Sequence, residues 1–183
     1  MIRIILYAIP AIVILFLIVV ALQPSTFSVT RTAKISGPPS VAFAQVNDLH
    51  AWEAWSPWAK MDPSAKSTYE GPASGVGAVM SWAGNNKVGA GKMTITESKP
   101  NEMIEFRLEF LRPMQATHKA EFTFKPEGNA TLATWTMSGK NGFMGKVFGL
   151  IMSCDKMIGG QFEQGLAQMN AVVTGAAKEH ATA

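Results

Sequence analysis

At 183 residues with a formal net charge of only +3, the chain has room for one ordinary domain and a short extension. Its isoelectric point near 9.1 comes from scattered Lys and Arg, which excludes the clustered basic face of a nucleic-acid binder. A single cysteine, Cys154, excludes an intrachain disulfide, a cysteine zinc cluster and a CxxC redox pair; beside Met152 and Met157 it reads as a small buried hydrophobe.

The chain opens on an apolar helix over about residues 2–22. From Ile4 to Leu22 there is no charged side chain. At about 1.5 Å per residue such a run covers roughly 28 Å, close to the hydrocarbon thickness of a bilayer. A cleaved secretory signal is the rival reading, but its apolar core is usually shorter, about 7–15 residues, and Val19-Val20-Ala21 makes a poor cleavage site. Pro10 is tolerated in a membrane helix. Residues 1–24 therefore read as a single-pass anchor, 25–178 as the domain it tethers, and 179–183 as a disordered tail. Positive charge is balanced across the span, with the amino terminus and Arg3 before it and Arg31 and Lys34 after it. The usual signal-anchor arrangement places the domain on the extracytoplasmic, periplasmic side.

After the short linker Gln23–Thr26, Phe27, Val29, Ala33 and Ile35 alternate with polar residues, the period of a half-buried strand. Gly37-Pro38-Pro39-Ser40 breaks it, and Val41, Phe43 and Val46 stand at helical spacing up to Asn47-Asp48. Leu49 to Trp55 reads as a second helical turn. Beyond a loop holding Pro57 and Pro63, extended segments are expected near 67–71, 77–84, 89–98, 102–112, 115–127 and 130–139, in meander order.

Parity assigns faces. Ile104, Phe106, Leu108 and Phe110 point inward against charged neighbours, as do Ala116, His118, Ala120, Phe122 and Phe124. From Asp155 the period changes, and Ile158, Phe162, Leu166, Met169 and Val173 mark a long amphipathic helix. Gly159, Gly160 and Gly165 weaken that helix by about 1 kcal/mol each, so close approach to the sheet or a bend is their expected reason. Helices segregated on one face of an antiparallel sheet make an α+β domain.

The order of elements, the stretch AKISGPPSVAF (33–43) leading to Val46-Asn47-Asp48, WEAWSPW (52–58) and GKVFGLIMSCDKMIGGQFEQGLAQM (145–169) resemble the START-like, or SRPBCC, superfamily of polyketide cyclases/dehydrases and lipid-transport proteins, in a bacterial membrane-anchored form. The resemblance covers roughly 27–175. It implies a helix-grip fold, a curved antiparallel sheet wrapped around the long C-terminal helix, with a cavity between them. Fold does not fix activity.

Met80, Trp82, Met93, Phe106, Phe110, His118, Phe122, Trp135, Met137, Phe162, Leu166 and Met169 would line a sheet-to-helix space for a lipid or other small hydrophobic molecule; the same residues would also make a plain core. His118 is the catalytic candidate, read as the general base of a cyclase or dehydratase with Glu97 or Thr131 to steady the product, or else as a structural histidine. Asp155 is better placed as a helix N-terminal acid, and Glu97 as a strand-end charge. Asp48 ends the first helix and His50 lies on the surface. Trp52, Trp55 and Trp58 close a pocket, meet the membrane interface or fill the core. The glycine-rich segment 84–91 lacks the GxxxxGK[ST] spacing and reads as a hairpin turn. No cofactor and no metal are expected. The partners expected are the bilayer through residues 2–22 and a hydrophobic small molecule, with docking on a larger membrane complex as a third reading; the span carries no GxxxG.

Overall fold

The computed structural model describes the backbone of residues 2–151 and 154–181, and the side chains of residue 7, residues 9–150 and residues 155–175. Helix α1 spans Ile2–Ala21 and leads through a short linker into β1 (Thr26–Ser36). Three short helices follow, α2 (Pro39–Asn47), α3 (Trp52–Trp55) and α4 (Pro57–Met61). Then come β2 (Lys66–Glu70), β3 (Val79–Ala83), β4 (Ala90–Lys99), β5 (Met103–Arg112), β6 (Ala116–Glu127) and β7 (Ala130–Lys140). Helix α5 (Phe143–Ile151) precedes the long α6 (Cys154–Ala181).

The strands form one antiparallel sheet in the order β1-β7-β6-β5-β4-β3-β2. It is a meander whose first strand returns to pair with the last, Thr26 opposite Lys140 and Ser36 opposite Ala130. A register shift between Ile95 and Glu97 marks a bulge in β4, the kind of irregularity that bends a sheet. Helix α6 lies along the concave face above β1, where Arg31 reaches Asp155 and the Ser36 amide bonds Asn170 Oδ1 at 2.8 Å. This is the helix grip expected from the sequence.

Every strand expected from alternation is present within two residues of its place, and the 84–91 turn is a hairpin closed by Gly84 N to Gly89 O at 2.8 Å. Pro39 opens α2, earlier than the apolar spacing from Val41 indicates, because its missing N–H costs nothing in the first turn. Helix α4 replaces the expected loop after Pro57, for the same reason. Helix α5 was not expected, although Phe143, Met144, Val147, Phe148 and Ile151 stand at helical spacing; at nine residues with two glycines the run is short for a periodic signal. Leu49 to Trp55 narrows to a four-residue helix at its end.

The glycines of α6 divide. A Cβ at Gly159 would overlap the Arg31 guanidinium, and one at Gly165 would come 3.0 Å from the Trp135 ring and 3.2 Å from Pro57, so these two permit close approach. Gly160 meets nothing within 4 Å, and no contact explains it.

Among the described residues no helix is long and apolar enough to cross a membrane. The side chains of Cys154 and Met152 and the tail from 179 lie outside the described side chains, whereas Met157 is exposed rather than part of a buried cluster.

Candidate functional site

The sheet has two ends. Thr26, Lys66, Ala83, Ala90, Arg112, Ala116 and Lys140 lie at the end where α1 enters, and Ser36, Glu70, Val79, Lys99, Met103, Glu127 and Ala130 lie at the far end. Far-half residues pack solidly. Phe122, Ile104, Ile35, Val46, Leu166 and Met169 are each fully buried, and α2 closes over them with Phe43 edge-on to Phe124.

The α1 half is hollow. A cavity of about 270 Å3 lies between sheet and helix there, at the lower edge of the roughly 300–1,000 Å3 usual for small-molecule pockets. Its floor comes from Met93, Phe106, Leu108, Phe110, Ala120, Trp135 and Met137, its sides from Met80, Trp82, Val88, Ala65 and Trp58, and its roof from Ile158 and Phe162. Only Glu53, Ser56 and Ser67 bring polar side chains to the wall.

Local sequence explains the hollow. Along β6 the inward positions read His118, Ala120, Phe122 and Phe124, so the small Ala120 leaves a gap between the imidazole at the near end and the aromatic rings of the far half. At Gly91 an added Cβ would sit 2.6 Å from Trp82 Cζ2, because that indole lies over the bare glycine and forms a wall of the cavity. The Trp82 N–H donates to Val88 O at 3.3 Å, which holds the ring to the hairpin. Trp135 stacks at 4.0 Å on Phe162 and at 4.6 Å on Phe122, joining the hollow half to the solid one. Its indole nitrogen is buried without a protein acceptor, the sort of polar group that calls for an explanation.

Of the residues expected to line a pocket, Met80, Trp82, Met93, Phe106, Phe110, Trp135, Met137 and Phe162 stand in the wall. Phe122, Leu166 and Met169 do not; they are packed on all sides in the far half. His118 keeps the inward parity but misses the cavity, since Phe27 packs edge-on against it at 5.0 Å and Phe110 at 5.6 Å. Burial pushes the imidazole pKa below its ordinary value, only partly opposed by a backbone hydrogen bond of Thr117, and Nδ1 has no partner. The acid and hydroxyl considered beside it lie at the other end of the sheet. Glu97 pairs with Lys99 at 3.0 Å, and Thr131 donates to Gly37 O at 2.9 Å.

Trp52, Trp58, Leu108, Ala120 and Ile158 also line the cavity. Leu108, Ala120 and Ile158 shared the parity or spacing of residues already singled out; the small size of Ala120 was the available signal of a gap. Trp52 and Trp55 are core residues whose indoles donate to Val46 O at 3.0 Å and Gln45 O at 3.1 Å, which leaves neither at a membrane interface. Glu53 accepts from Tyr69 Oη at 3.3 Å; burial first, and that carboxylate second, raise the phenol's pKa. His50 lies on the surface stacked on Tyr69 at 3.9 Å, and Asp48 accepts from its backbone N–H at 2.9 Å. Asp155 sits in the first turn of α6 as expected, held by Arg31 at 2.9 Å, and Glu163 takes the other edge of the guanidinium at 2.6 Å.

Residues 26–174 match the family described as polyketide cyclase / dehydrase and lipid transport. No curated protein matches the chain. Among solved structures, a protein from Chromobacterium violaceum is 18% identical with a TM-score of 0.57, covering 82% of this chain and 98% of its own. A protein from Mesorhizobium loti is 16% identical at 0.57, covering 79% and 98%. The di-domain ARO/CYC StfQ from the steffimycin biosynthetic pathway is 10% identical at 0.60, covering 84% of this chain and 52% of that one. At these identities the likeness is one of fold. The family match over most of the chain decides more: this protein belongs to the polyketide cyclase / dehydrase and lipid transport family, within the START-like superfamily.

Proposed function

We propose that this protein is a membrane-anchored binding module that holds a lipid or other small hydrophobic molecule in the cavity beneath α6. The observation that carries the reading is the wall itself, apolar on nearly every side and edged by only three polar side chains. Such a surface gains about 25 cal/mol for each Å2 of apolar ligand area it removes from water, and its one carboxylate, Glu53, is exposed and already accepts from Tyr69 Oη. Methionines 80, 93 and 137 let it adapt to irregular chains.

The anchor reading is supported by α1. Ile9, Ile12, Ile14, Leu15 and Phe16 are all exposed, at positions that go right round the helix. A helix that is apolar on every face needs a protein core or a bilayer to cover it, and the domain covers only its last turn, at Val20. The domain then stands on the extracytoplasmic side, which protease added to spheroplasts would test by digesting it.

A cyclase or dehydratase needs two polar groups converging on one substrate. His118, Glu97 and Thr131 do not converge.

Native mass spectrometry of the full chain purified in detergent, with solvent extraction of what co-purifies, tests the binding reading. One hydrophobic molecule per chain is expected, and Ala120→Phe, which fills the cavity, should lose it. Protein that is empty from every membrane source would overturn the reading and favour an accessory subunit of a larger complex.

A further inference from the structure

Outside α1, the exposed large apolar side chains gather at one end of the molecule. Leu111 and Met114 flank the β5–β6 turn, Phe143, Met144 and Phe148 lie on α5, and Met157 opens α6. Register puts that turn at the end of the sheet where α1 enters, and α5 itself packs against α1. Lys146 of α5 donates from Nζ to Ala21 O at 3.2 Å, and the Asn141 backbone amide donates to Ser25 O at 2.8 Å, so α5 is tied to the root of α1. At the far end, among the described residues, only Val41 and Val76 are comparable, and they stand singly.

Charge follows the same division. Lys60, Lys66, Lys87, Arg112 and Lys140 are exposed at the α1 end, and none makes an ion pair among the described residues. The carboxylates there are engaged, Asp62 by Ser64 and the Asn85 amide, Asp155 by Arg31 and Glu109 by Lys92. At the far end Glu70 and Glu102 are exposed against one exposed cation outside the ion pairs of the described residues, Lys125, while Glu97 and Glu127 are paired with lysines.

We infer that the α1 end of the domain is a membrane-docking face, on which α5 and the β5–β6 turn rest in the headgroup layer of a bilayer. The inference rests on reading α1 as the anchor, because that anchor's root fixes which surface meets the lipid. Aliphatic and aromatic side chains rimmed by unpaired lysines are what an anionic interface takes up; an interfacial helix buries its apolar face about 5–10 Å into the headgroup and acyl boundary. The geometry also gives the cavity a direction. Val88, Phe110 and Ile158 in its wall lie toward the α1 end, while Phe106 and Trp135 mark its limit near the middle of the sheet. A hydrophobic ligand would pass between bilayer and cavity through a gap roofed by lipid rather than water.

The test uses the full chain in vesicles of one third anionic lipid, with shallow-brominated acyl chains as quencher. Single cysteines placed by Ile14→Cys, Met114→Cys, Phe148→Cys and Val76→Cys in a Cys154→Ala background carry a bimane fluorophore. Met114 and Phe148 should each lose roughly twofold in fluorescence, as expected for the interfacial depth of such a helix, and Val76 should lose none. If position 14 is quenched but 114 and 148 match 76, the anchor stands and the docking face is overturned. If 14 is unquenched, the anchor reading fails, and quenching at 114 and 148 alone would carry the docking face. If bimane at 114 and 148 is unquenched and the unlabelled Met114→Cys and Phe148→Cys chains oxidise to disulfide-linked dimers, this face is a dimer contact and the proposal is overturned.

Discussion

The two halves of the sheet–helix interface are built from the same residue types, yet one is solid and the other hollow. In the far half Phe122 and Phe124 project from β6 into a space that α2, Leu166 and Met169 close. In the near half the same strand offers Ala120, the neighbouring β4 offers Gly91, and Trp82 lies over that glycine instead of filling the gap. The difference shows that a cavity in this fold depends on a few small residues on the concave face, not on a change in overall hydrophobicity. The solid half carries the stability that allows the other to remain open.

Phe122→Ala should be the most damaging change, at about 3–5 kcal/mol by chemical denaturation, because the aromatic packing there has no space into which to relax. A loss below about 1 kcal/mol would erase the distinction between the halves. The sharper contrast comes from two buried alanines. Ala133→Leu, in the solid half, should cost about 1–3 kcal/mol through overpacking. Ala120→Leu, beside the cavity, should change stability by under about 1 kcal/mol while displacing the extracted ligand. Equal costs would mean that the cavity collapses in solution.

His118 supplies a smaller, pH-dependent effect. Its folded pKa lies below its unfolded value, so the unfolded chain takes up the proton first. Stability is therefore unaffected above the ordinary histidine value, about 6.5, and declines as pH falls from there toward the folded pKa. His118→Phe should flatten that segment of the stability–pH curve, and an unchanged curve would show that the imidazole reaches water freely.

The smallest effect concerns how α6 is held over the hollow. Arg31 grips Asp155 and Glu163 in the space that Gly159 leaves open. Hydrogen bonding from Arg31 holds the Asp155 carboxyl below the usual range, so its contribution is complete above the unfolded value and is lost as pH falls through the lower folded one. The stability difference between Asp155→Asn and the native protein should accordingly shrink as pH falls below the ordinary aspartate value, about 3.9, vanish below the folded one, and shrink in high salt. Gly159→Ala should mimic it by displacing the guanidinium, despite the better helix propensity of alanine.

Much of this was legible from local pattern. Period two set the inward faces of β5 and β6, and the three-and-four spacing of Phe162, Leu166, Met169 and Val173 set the buried face of α6. The same pattern could not separate wall from core. Phe106 and Phe122 share parity, chemistry, burial and an edge contact with Trp52, yet only Phe106 borders the cavity, because Trp55 and Phe124 also close on Phe122. His118 was likewise correctly faced but wrongly neighboured, since nothing local indicates that Phe27, some 90 residues earlier, covers it.

By itself, then, the sequence determined the strands, the long C-terminal helix and their buried faces, though not α4 or α5, because periodicity and turn chemistry are short-range properties of the chain. Only the tertiary structure decided where the space lies and which end of the domain gathers apolar side chains around the root of α1. Both depend on which distant elements come together, and packing density is set by those encounters rather than by any one segment.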